Sequence, residues 1–169
     1  MCFKKKSKGE FVVEREDLEY EVGKMITRQK KYLVFKEKVL FVIDHPNMKV
    51  SKESALDVVR RVMEDFPYGV PVVTNKQFDE CHFPYIDESV GFANNFKVRD
   101  NFIVADITVD PERCDKDYFK RIKEEISVAT LAWQGDSSKY DEDSDTVYMR
   151  NIVCVILDLT DWCSERFNK

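Results

Sequence analysis

A chain of 169 residues, 43% apolar and 35% charged, is long enough for one domain with a real core, and 5 Gly with 5 Pro exclude low-complexity linkers. The net charge of -5 gives no general attraction to nucleic acid or to an anionic membrane. Five cysteines (Cys2, Cys81, Cys114, Cys154, Cys163) without a CxxC pair or a secretory signal read as reduced thiols, not a disulfide framework or zinc site. Cys154, in an apolar strand-like run, reads as a small core residue. No run approaches the ~20 apolar residues of a membrane span. The expectation is a soluble protein that stays where it is made.

In chain order, residues 1–9 form a basic arm in which Lys4, Lys5, Lys6 and Lys8 are either a solvated terminus or a weak contact for nucleic-acid phosphate or an acidic partner. Over 10–45, β-branched and aromatic residues alternate with charged ones in three runs, Phe11 to Val13, Leu18 to Ile26 and Tyr32 to Ile43, which predicts half-buried antiparallel strands. Asp44-His45-Pro46-Asn47 is turn chemistry. The period then changes: Ala55, Leu56, Val59, Val62, Met63 and Phe66 recur at helical spacing, Ser51 is an N-cap, and Val50 can staple onto Ala55. The helix spans 51–66 and is stopped by Pro67 and Gly69. Val70 to Thr74 reads as a buried strand, and a polar loop with His82 follows. Gly91 to Val98 and Phe102 to Val109 form a hairpin around Arg99-Asp100-Asn101. Asp110-Pro111 opens a second helix over 111–125, with Tyr118, Phe119, Ile122 and Ile126 as its stripe. Ser127 to Trp133 is a strand, Gly135 to Asp145 an acidic loop, and Val147 to Leu159 a long apolar strand. The chain therefore reads as one α+β domain, 1–169, built on an antiparallel sheet or small β-barrel with two main helices and a core over 50–160.

Little of this pattern carries chemistry. Asp141, Asp143 and Asp145 have the 1-3-5 spacing of a calcium loop, but Thr146 stands where Gly is needed and Ile152 where the bidentate Glu is needed. Phosphate-binding glycine loops are absent, so no cofactor and no metal are expected. Ser127 is the serine of interest. It follows a helix and opens a strand among small neighbours, a junction that presents a hydroxyl to a cleft, or that ties it to local backbone.

The order of pieces over Val70-Pro71-Val72-Val73-Thr74-Asn75, Ser89-Val90-Gly91-Phe92, Val104-Ala105-Asp106-Ile107, Ile126-Ser127-Val128-Ala129 and Arg150-Asn151-Ile152-Val153-Cys154-Val155 resembles the head maturation (prohead) proteases of tailed bacteriophages, which share a fold with herpesvirus assemblin. The likeness covers about two-thirds of the chain. It implies a prohead-protease-like fold, with Ser127 as nucleophile. Aligned without a gap, the family's histidine falls at Lys76, and His82 takes its place if the loop is six residues longer. His45, in Asp44-His45-Pro46, resembles the family's Asp-His-Pro variant but precedes the helix. The third group falls near Asn151 or Ile152, and Asn151 has the amide that orients the base in some Cys–His enzymes. Ala129 stands where the family often has Gly.

Three readings follow. In the first, the chain is a phage head morphogenesis protein in a structural or auxiliary capsid role, with eroded catalytic positions; its partners are capsid or scaffold proteins, with a homo-oligomer among the options, in the host cytoplasm during assembly and then in the virion head. In the second, it is a Ser127–His82 endopeptidase that trims scaffold and capsid proteins. In the third, it is a globular domain of unrelated function. A surviving fold without its catalytic constellation favours the first.

Overall fold

The computed structural model describes residues 11–21, 24–85, 88–124 and 128–158. Strands β1 (Phe11–Glu21) and β2 (Lys24–Val42) form a long antiparallel hairpin, so the two runs expected over 11–26 are one strand and the start of the next. The alternation expected over 32–43 continues β2 across β7 (Phe102–Val109). Strand β6 (Gly91–Arg99) closes the expected hairpin with β7, with Asp100 at φ 53° in the turn. Strand β5 (Val70–Thr74) lies antiparallel to β6 and parallel to β10 (Met149–Asp158), and β8 (Val128–Gly135) pairs with β10. The resulting order is β1-β2-β7-β6-β5-β10-β8.

From β2 to β8 this sheet curls upon itself. Phe41 of β2 meets Trp133 of β8 edge to face, with ring centroids 5.5 Å apart, although four strands separate them in the order. A small second sheet joins β3 (Asp44–His45), β4 (Met48–Val50) and β9 (Thr146–Val147). The architecture is thus α+β, a curled and largely antiparallel sheet with few helices.

Helix α1 (Lys52–Asp65) is the helix expected over 51–66. Ser51 caps it by accepting the Ser54 N–H at 3.2 Å. Its buried face is Ser54, Ala55, Val58 and Val62, so the stripe is rotated from the expected one and Leu56 is 50% exposed. Gly69 ends the connection at φ 98°, where a Cβ would also meet Ala93 O at 3.0 Å. Ser54 Oγ accepts the buried Met149 N–H at 2.9 Å, which pins the start of β10 to α1.

The second expected helix is in two parts. Pro111–Arg113 is a single 3₁₀ turn capped by Asp110, and α3 (Lys116–Glu124) starts anew, with the Asp115 carboxylate accepting the Asp117 N–H. Ile122 of α3 is fully buried, and Tyr118 and Phe119 pack beside the core; Ile126 lies outside the described residues. A further helix, α2 (Asn75–Glu80), occupies what was expected to be loop. Its capping box pairs Thr74 with Gln77, a signal present in the sequence but without an apolar stripe behind it. The expected strand over 147–159 is broken at Tyr148, whose carbonyl accepts the Asp136 N–H, separating β9 from β10. Alternate residues of β5 and β10 face opposite layers: Val72 and Val155 enter the main core, while Val73, Cys154 and Ile156 lie under Phe78 of α2. Cys154 is fully buried, as expected of a core residue, and burial pushes its thiol up to about 12.

Candidate functional site

Two of the motif-like segments have clear mechanical roles. Gly91 sits where β6 crosses β7 so closely that a Cβ would stand 2.0 Å from Thr108 O. Asp106 joins two β-bulges, one in β2 with Glu37 at φ 48° and one in β6 with Asn95 at φ 53°. One carboxylate oxygen accepts the Glu37 N–H at 2.9 Å; the other accepts Asn95 Nδ2 at 2.9 Å and Lys36 Nζ at 3.3 Å. Burial alone would raise this carboxyl, but the bonds from Asn95, Glu37 and Lys36 outweigh it and hold it below the usual carboxylate range. The Glu37 carboxylate reaches back to Arg99 with two bonds of 2.7 Å, so the clasp spans β2, β7 and β6.

The candidate catalytic residues are placed differently. Helix α2 carries the chain from β5 towards His82. Cys81 closes the helix by donating its N–H to Gln77 O, and Gln77 Nε2 donates to Glu88 O across the loop. His82 is exposed, with its ring edge-on to Phe78 at 4.9 Å between centroids. It makes no hydrogen bond to a described residue. His45 ends β3, where its Nδ1 accepts the Asn47 N–H of the following turn at 3.1 Å. Lys76, at the ungapped position of the family's histidine, is exposed on α2.

Asn151 stands on β10 opposite Gln134 of β8, and its Nδ2 donates to Gln134 Oε1 at 3.4 Å. Both line a cleft of about 390 Å³ between the second half of α1, the start of β10 and residues 83–85. Val62, Phe66 and Ile152 make its floor, and Phe83 and Tyr85 stand exposed at its mouth. Arg61 braces one wall, held by Asp57 at 2.9 Å and donating to Arg150 O at 3.1 Å. Phe83 brings the residue after His82 to this cleft, but His82 itself is outside its lining. Ser127 lies outside the described residues, as does the basic arm with Lys4, Lys5, Lys6 and Lys8. Val128, which follows Ser127, pairs with Asp158, one step from the place where Leu157 faces both Ala129 and Thr74. Tyr118 Oη donates to Leu157 O at 3.0 Å at this same end of the sheet. Asn75, the first residue of α2, has a buried Oδ1 with no hydrogen-bond partner among the described residues. The sequence gives Asn75 no role beyond closing the Val70–Asn75 motif ahead of an expected polar loop.

The acidic loop is knitted by its own donors. Asp141 accepts the Asp143 N–H at 3.0 Å and Ser144 Oγ at 2.8 Å, and Asp145 accepts Tyr140 Oη. No group of three potential ligands is gathered for a metal among the described residues. No described helix is long and apolar enough to cross a membrane. No family model matches the chain, and neither a curated protein nor a solved structure does.

Proposed function

We propose that this chain is a head morphogenesis protein of a tailed bacteriophage, with a prohead-protease-like fold used in a structural or auxiliary capsid role. The observation that carries the reading is a division of labour among the motif residues. Gly91 and Asp106 are built into the curl of the sheet. His82 has a ring contact but no hydrogen-bonded described partner, and Asn151 turns its amide to Gln134. A working triad needs its base bonded to an orienting group. The partners are scaffold or capsid proteins, met in the host cytoplasm and retained in the virion head.

The second reading, a Ser127–His82 endopeptidase, is favoured by one feature. The strand that follows Ser127 begins at the same end of the sheet at which β5 passes into α2. Co-expression of the chain with the scaffold and major capsid proteins separates the two. The structural role predicts that both partners stay full length and co-purify with the chain. Cleavage that disappears in Ser127→Ala and in His82→Ala would replace it with the enzymatic one.

A further inference from the structure

The β1–β2 hairpin extends beyond the sheet it belongs to. Pairing of β2 with β7 starts at Leu33, opposite Val109, so residues 24–30 pair with β1 alone among the described strands. Strand β1 is the terminal strand of the order and, among the described strands, pairs with β2 alone. Among the described residues, the ribbon therefore offers two open backbone edges, one along β1 and one along the first part of β2. A two-stranded ribbon is marginal on its own in water, and an open edge is a template for another strand.

The two edges differ in charge. Strand β1 carries Glu14, Glu16, Asp17, Glu19 and Glu21 against the single cation Arg15. Residues 24–30 carry Lys24, Arg28 and Lys30 and no acid. Like charges on directly opposed strands are destabilising, and opposite charges stabilise the pairing. Two β1 edges repel, as do two β2 edges, whereas a β1 edge fits a β2 edge. We infer that the ribbon is a self-assembly arm. The acidic β1 edge of one copy adds as a strand to the basic 24–30 edge of a second copy, head to tail. Such a contact leaves one edge of each sign free, so it propagates into a ring or a chain. It does not depend on the role proposed above.

Sedimentation of the full chain at low and high salt tests it. The expected result is concentration-dependent association that weakens roughly tenfold at high salt, as a few cross-strand charge pairs are screened. Two variants sharpen the test while keeping the opposite-charge register pairs Glu14–Lys31, Asp17–Arg28 and Glu21–Lys24 inside the ribbon. Glu16→Lys with Glu19→Lys spoils the β1 edge, and Thr27→Glu with Lys30→Glu spoils the β2 edge. Each is expected to be monomeric alone. Mixed, they retain one intact edge of each kind and associate with each other. A wild-type chain that stays monomeric at low salt overturns the proposal. So does a wild-type-like assembly of either variant alone, or a mixture of two folded variants that stays apart.

Discussion

Replacing Asp106 with Ala removes the group on which two bulges converge. Asp106 is 7% exposed, and its carboxylate takes the Glu37 N–H and Asn95 Nδ2, each at 2.9 Å. A hydrogen bond to a charged acceptor contributes about 1.5–3 kcal/mol. Lys36 Nζ, at 3.3 Å on a side chain 46% exposed, adds little because water screens it. Neighbouring groups share relaxation, so the terms do not sum fully, and the expected loss is about 3 kcal/mol. Urea denaturation near neutral pH measures it as a lower midpoint at unchanged slope. Asn95→Ala should then cost much less in the Asp106→Ala background than in the wild type. The pH dependence has a definite sign. The folded carboxyl is held below its unfolded value, so the clasp is fully present above about pH 4 and is lost as pH falls through the folded value. The stability gap between wild type and Asp106→Ala is therefore flat toward neutrality and narrows in acid. A loss under about 1 kcal/mol, or a gap that widens on acidification, refutes the reasoning.

Gly91→Ala is expected to destabilise by about 3 kcal/mol or more, because its Cβ would stand 2.0 Å from a strand carbonyl. Gly135→Ala, whose Cβ would meet a Val147 methyl at 3.2 Å, is expected to lose less than about 1 kcal/mol in the same thermal melts. Ser54→Ala leaves the buried Met149 N–H without its acceptor and should cost about 1–3 kcal/mol by urea titration; a neutral result would show that water replaces the hydroxyl. Alkylation with peptide mapping should label exposed Cys81 in the native protein at neutral pH. Cys114 and Cys154, whose thiols burial pushes up to about 12, should react only after unfolding, and native labelling of Cys154 would contradict its place under α2.

Much of the scaffold was legible because its signals are local. The Ser51 cap and Gly69 stop bound α1, and the Arg99-Asp100-Asn101 turn sets the β6–β7 hairpin. The face of α1 was less legible, since Leu56 and Val59 keep helical spacing while the sheet selects Ala55, Val58 and Val62. Helix α2 was missed because six residues with one large apolar side chain, Phe78, give no period. That miss mattered for the candidate site, since α2 sets where His82 stands. The role of Asp106 depends on bulges in strands β2 and β6, and strand register across a sheet is not written in either strand alone. Asn75 was invisible for the same reason: its unsatisfied oxygen follows from what surrounds it.

The role proposed for the chain is that of a structural component of head assembly. Quantitative mass spectrometry of purified phage heads tests it most directly. A structural component is expected there as the intact chain at a fixed ratio to the major capsid protein. Its absence from heads whose scaffold and capsid proteins have been trimmed would contradict that role.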